Sequence, residues 1–188
     1  MNGLRLFISI VDAINYRLGR VAMYGIFAIM LVLLWSTISK YLDRPSLWTL
    51  EAAQFAMIFY FFIGGSYAIQ MGSHVRMDLF YDNWTIKRKA VVDSITVFCL
   101  IAYLIVLLWG GLSSTAYSLG HFGSDTLTFF FGLLTGQEET GTLERSRTIW
   151  RPYLWPIKSL MCAGIFLMLL QAISELFKDI LRIRGEEI

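Results

Sequence analysis

Three ionisable side chains arrive at every second position in the run Gln70-Met71-Gly72-Ser73-His74-Val75-Arg76-Met77-Asp78-Leu79-Phe80. His74 and Asp78 stand four residues apart, so on a helix they share a face and can pair. Such a run could hold the working parts of an active site. The competing reading is a helix leaving an apolar layer. Gly72 suits the position just past a helix end, where left-handed backbone is easily reached only without a Cβ. His74 and Arg76 would then lie where the helix dipole and anionic headgroups favour positive charge. Other reactive groups are scattered. The second histidine, His121, is far along the chain, and Cys99 and Cys162 sit alone inside apolar runs without C-x-x-C spacing. Neither a metal site, a disulfide framework nor a reactive thiol pair is expected from them. The run Gly111-Leu112-Ser113-Ser114-Thr115 lacks the second glycine of a nucleophile elbow.

The elements that must position these residues are set by composition. The 188 residues are 56% hydrophobic and only 16% charged, against about 25% charged in soluble domains. The net charge of +2 provides no basic field for nucleic acid. Four stretches approach the roughly 20 apolar residues that a helix needs to cross a bilayer. They predict spans over 21–39, 52–71, 94–117 and 152–175. The strand-period alternation of a barrel is absent, so the fold class is an all-α integral membrane protein with four transmembrane helices. Residues 1–17 predict an amphipathic interfacial helix, with Leu4, Phe7, Ile8, Val11, Ile14 and Leu18 on one face and Arg5, Ser9, Asp12 and Asn15 opposite. This charged stretch lacks a small-x-small cleavage site and is not expected to be a removed signal. Residues 118–150 form a long loop and 176–188 a tail that continues the last helix.

An even number of crossings leaves the termini on one side. Arg5, Arg17, Arg20, Arg76, Lys87, Arg88, Lys89, Lys178, Arg182 and Arg184 fall on that side. Lys40, Arg44, Arg145, Arg147, Arg151 and Lys158 fall on the other. The positive-inside rule therefore predicts cytoplasmic termini. Trp35, Trp48, Trp109, Trp150 and Trp155 then gather near the outer boundary, the level tryptophan favours. Lys158, early in the fourth span, is expected to snorkel to that boundary. The apolar piece Leu127–Leu134 is too short to span. It either dips into the outer interface or rests on another subunit. The acidic 137–139 segment and the basic 145–151 segment follow it.

The middle third of every span holds no ionisable residue. A transporter that harnesses a gradient by itself normally keeps ionisable groups there, and broken helices in matching halves are also absent. Two alternatives stay open at this level: a small membrane redox enzyme, and a self-sufficient homo-oligomeric transporter.

Order and spacing of motifs add a resemblance. Trp48-Thr49-Leu50-Glu51 opens the second span, and Gly72-Ser73-His74-Val75-Arg76-Met77-Asp78 leaves it. Trp150-Arg151-Pro152-Tyr153-Leu154-Trp155-Pro156-Ile157-Lys158 leads into the fourth, which carries Leu169-Leu170-Gln171. From about Leu18 to Glu175 the chain resembles the DctQ-type small membrane subunit of tripartite ATP-independent periplasmic (TRAP) transporters. The resemblance implies a non-enzymatic scaffold in a bacterial inner membrane. It implies packing against a large DctM-type elevator subunit that binds substrate and sodium, and help in docking a periplasmic DctP-type substrate-binding protein. It implies no cofactor on this chain. His74, Arg76 and Asp78 become candidates for contact with the large subunit or headgroups on the inner side. Arg44, Trp48, Glu51, Trp155 and Lys158 become interface candidates on the outer side.

Overall fold

The computed structural model describes residues 2–72, 86–123 and 125–184. These form six helices: α1 Asn2–Met23, α2 Gly25–Tyr41, α3 Thr49–Gln70, α4 Ile86–Ser118, α5 Thr126–Thr135 and α6 Trp155–Arg184. Among the described residues there is no named strand, only an isolated bridge between Arg145 and Tyr153. Four helical segments are long and apolar enough to cross a membrane: Gly3–Tyr41, Thr49–Gln70, Val92–Ser118 and Trp155–Leu181. The expected all-helical, four-span class is what the chain adopts. The stretch holding His74, Arg76 and Asp78 lies outside the described residues.

Helix lengths show how the elements divide. The 22 residues of α3 rise about 33 Å, close to the roughly 30 Å of hydrocarbon. The 39 residues of Gly3–Tyr41 would rise about 58 Å as one rod, nearly twice what a crossing needs. The rod is broken at Tyr24, between α1 and α2. Tyr24 N–H donates to the Val21 carbonyl and Phe27 N–H to the Tyr24 carbonyl, each at 3.1 Å. These three-residue steps tighten the chain on either side of the break. Thus α2 has the composition of a crossing, while α1 packs on the ends of α3 and α6 that lie nearest the termini.

The central packing is α6 between α3 and α4. Leu104, Ile165 and Ala172 form its buried centre, with Phe62, Leu100 and Met168 packed around them. Small residues let the helices close. A Cβ added at Gly164 would lie 2.6 Å from the Phe62 Cβ and 3.1 Å from its backbone carbon, and one at Gly111 would lie 3.0 Å from the Cys162 Sγ. Close approach through small residues is how membrane helices gain packing where lipid removes the usual hydrophobic drive.

Buried positions on α1 follow a narrow stripe: Ile8, Val11, Asn15, Gly19 and Ala22. Their three- and four-residue spacing is that of one helix face. Asn15, expected opposite the apolar face, is 0% exposed in the middle of the packed one. Leu6, Ile10 and Ile14 instead look outward. The apolar side is therefore divided between the bundle and the surroundings.

Candidate functional site: polar clasps at the two ends of the bundle

At the end away from the termini, a loop is stitched onto three helices. The loop begins where α4 ends. His121 N–H donates to the Ala116 carbonyl and Gly120 N–H to the Tyr117 carbonyl, each at 3.0 Å. With Gly120 at φ 89°, this is a Schellman turn, and it redirects the chain sharply. Gly120 also lies against Gly141, where an added Cβ would come within 2.7 Å of backbone atoms. Gly141 N–H donates to the Leu119 carbonyl and Glu144 N–H to the Ser118 carbonyl, both at 3.0 Å. The returning segment therefore runs beside the end of α4.

Two side chains of that segment then reach other helices. Ser146 Oγ donates to Glu51 Oε1 on α3 at 3.0 Å. Glu144 Oε2 accepts from Lys158 Nζ on α6 at 2.7 Å, and the same ammonium donates to the Ser114 carbonyl of α4 at 3.2 Å. Two candidates from opposite ends of the sequence, Glu51 and Lys158, thus hold loop residues two apart. Glu51 is 4% exposed. It occupies the first turn of α3, where the positive end of the helix dipole favours a carboxylate. Its Oε2 is buried with no hydrogen-bond partner. Lys158, expected to snorkel to the outer boundary, is tied to a partly exposed acid supplied by the loop.

The remaining candidates at this end are surface residues. Arg44 and Trp48 lie in the α2–α3 connection, both exposed. Trp155 opens α6 and is exposed. Pro156 follows at a position where its missing N–H forfeits no helical bond. Thr49, nearly fully buried, holds the start of α3 by donating to Ser36 Oγ of α2 at 3.2 Å. The basic segment forms a turn. Ser146 N–H donates to the Pro152 carbonyl at 2.9 Å, and Arg145 stacks over the Tyr153 ring and bonds its hydroxyl. Arg147, Ile149, Trp150 and Arg151 are displayed at its tip.

The opposite end carries a polar cluster that the sequence reading did not assemble. Asn15 Nδ2 donates to Gln171 Oε1 at 2.7 Å. Gln171 Nε2 donates to Asp12 Oδ1 at 2.9 Å and to Glu175 Oε1 at 3.1 Å. Lys178 Nζ bridges Asp12 Oδ2 and Glu175 Oε1, each at 2.7 Å. From α3, Gln70 Nε2 donates to the Asp12 backbone carbonyl at 3.1 Å. The signal was present as Gln171, Ser174, Glu175 and Lys178 on one helical face, opposite Asp12 and Asn15 three residues apart. Helical spacing shows that each set shares a face. It does not show that the two faces meet.

The acids of both clusters are engaged by amides, hydroxyls or ammonium groups, and they sit at the ends of the spans. One prediction follows for the loop clasp. Lys158→Met removes the cation while keeping the apolar stem, leaving Glu144 without its ion pair. The pair is about one-fifth and one-third exposed on its two side chains, so solvent screening holds its contribution to about 1 kcal/mol. Limited proteolysis in detergent should cut within 136–151 several-fold faster, while the helices remain protected. Unchanged cleavage would mean that the backbone bonds to Ser118 and Leu119 hold the loop by themselves.

A family model described as tripartite ATP-independent periplasmic transporters, DctQ component, matches residues 29–182. No curated protein and no solved structure matches the chain.

Proposed function

The chain belongs to the DctQ component family of tripartite ATP-independent periplasmic transporters, and from that premise we propose that it is the fixed scaffold of a sodium-coupled importer of an organic acid, a carboxylate or a sulfonate. A DctQ component is a membrane part of a transporter whose other parts are a large membrane component and a substrate-binding one. In our reading the large DctM-type subunit binds substrate and sodium and moves, while this chain stays in place. The chain needs no cofactor, performs no catalysis, and lies in the bacterial inner membrane with cytoplasmic termini. The turn carrying Arg147, Trp150 and Arg151 helps seat the periplasmic DctP-type protein, and His74, Arg76 and Asp78 meet the large subunit or headgroups on the inner side.

The observation that carries this reading is where the charges lie. Glu51, Glu144 and Lys158 are gathered at one end of the bundle, and Asp12, Glu175 and Lys178 at the other. Between them the packing is apolar, centred on Leu104, Ile165 and Ala172. Moving a cation or an organic anion through such a layer without polar ligands is prohibitively costly. The translocation path therefore belongs to another chain.

Affinity purification from native membranes tests the assembly, and reconstitution tests the division of labour. The large subunit is expected to co-purify with this chain, with recovery reduced several-fold by the paired change His74→Ala and Asp78→Ala. Vesicles holding all three components should accumulate substrate under a sodium gradient, and vesicles holding this chain alone should not. Accumulation by the chain alone would overturn the scaffold role.

A further inference from the structure

The short helix α5 is apolar on two sides. Thr126, Phe129, Phe130 and Leu133, spaced three and four apart, turn toward the bundle, where Phe129 packs on Ala116 and Leu119. Leu127, Phe131 and Leu134, again four and three apart, look away from it, and Phe131 and Leu134 are 72% and 84% exposed. A loop helix bathed in water would carry polar residues on that outer side. Here the ten residues of α5 contain no charged group, and the polar residues on its exposed side are Thr128 and Thr135. Its last hydroxyl, Thr135 Oγ1, donates back to the carbonyls of Phe131 and Gly132 at 2.9 and 3.2 Å.

Depth is fixed by the neighbours. Thr126 Oγ1 lies 3.4 Å from Ser113 Oγ, five residues before the end of α4 and therefore about 7 Å inside it along the axis. The adjacent Ser114 carbonyl holds Lys158, in the clasp that also engages the first turn of α3. This places α5 level with the end of the apolar layer, where tryptophan and tyrosine gather. Tyr117 of α4 is exposed there, and its ring and that of Phe122 meet edge to face with centroids 5.2 Å apart. The outer ridge of α5 thus lies near the end of a helix that is long and apolar enough to span.

We propose that α5 is an interfacial helix whose Leu127, Phe131 and Leu134 ridge is immersed in the acyl-chain boundary of the leaflet at the loop end of the bundle, with lipid as its occupant. Ten residues reach only about 15 Å, so α5 cannot cross. A helix lying in the interface gains by burying one apolar face about 5–10 Å into that boundary. Through the Gly120 turn and the Phe129 contact it would fix the height of the loop above the bilayer.

Nitroxide labels test this in the full chain, with Cys99→Ser removing the exposed native thiol. Labels are placed by Phe131→Cys and Leu134→Cys, with Glu139→Cys as the aqueous reference, in vesicles of phosphatidylcholine and phosphatidylglycerol. Labels at 131 and 134 should collide several-fold more with oxygen, which concentrates in lipid, than with a water-soluble nickel chelate. The label at 139 should show the reverse. Nickel collisions at 134 equal to those at 139 would overturn the proposal. So would loss of oxygen collisions at 131 and 134 when the chain is assembled with its large subunit, because the ridge would then be covered by protein. The first arm uses this chain alone, so its failure is separable from failure of the scaffold reading.

Discussion

Replacing Gly164 by leucine is expected to part α3 from α6 and abolish recovery of a folded chain in mild detergent. At this position the α6 backbone lies so close to Phe62 that even an added Cβ would come within 2.6 Å of the Phe62 Cβ and 3.1 Å of its backbone carbon. A clash with a flexible side-chain tip is relieved by a rotamer change, but one with a Cβ and a backbone atom requires the helices to move. Overpacking a well-filled contact costs about 1–3 kcal/mol; Gly164→Ala should fall in that range and Gly164→Leu beyond it. The neighbouring contacts of Ile165 and Met168 would separate with the helices. Gly64 supplies the control. A Cβ there meets nothing within 4 Å, so Gly64→Ala should leave thermal stability and size-exclusion behaviour unchanged. Equal behaviour of the two alanine variants would contradict the close approach of α3 and α6.

Removing the Gln171 amide is expected to release α1. Gln171 and Asn15 are both 0% exposed, and Gln171 links Asn15, Asp12 and Glu175 at once. Gln171→Leu fills similar space but leaves the Asn15 amide without its partner, and its Oδ1 already lacks one. An unsatisfied buried group costs about 1–3 kcal/mol, and a lost hydrogen bond to a charged group adds about 1.5–3 kcal/mol. Hydrogen bonds between membrane helices average only about 0.6 kcal/mol, because the separated helices find other partners. Here the Asn15–Gln171 pair is fully buried while Asp12 and Glu175 stay partly exposed, so a loss of about 1–3 kcal/mol, that of the unsatisfied Asn15 amide, is expected. Hydrogen exchange should show α1 amides around Asp12 and Asn15 losing protection while α4 keeps its own. Uniform exchange across both helices, or no change in α1, would remove the clasp from the account of stability.

Much of the architecture was written in composition. Uncharged stretches of about twenty residues have one stable disposition in a bilayer, and four of them specify four helices without any tertiary information. Gly72 was legible as a helix terminator, and its φ of 62° is the left-handed value that only glycine adopts without penalty. The pair Gly64 and Gly65 reads in sequence as two small residues that allow close helix packing, but which of the two does so was not legible. Gly65 packs on Met168 and Gly64 faces open space, a difference fixed by the direction in which α6 passes. Likewise, Lys158 near the start of a span suggests snorkelling. Its partner, Glu144, is reached only because the Gly120 turn folds the loop back across α4.

What the sequence determined by itself is the layering: apolar middles, charged ends and a chain that crosses four times. The free energy of placing residues in lipid or water is local and nearly additive along the chain. What only the tertiary structure decided is which polar residues are partners. Asn15 is a surface residue by periodicity and a buried one once α1 meets Gln171. Glu51 is a simple helix-start acid until Ser146 arrives from 95 residues away. Pairing depends on helix rotation, crossing and loop return. Those are set by where small residues such as Gly164 and Gly111 let backbones close, a joint property of two helices that no single stretch of sequence contains.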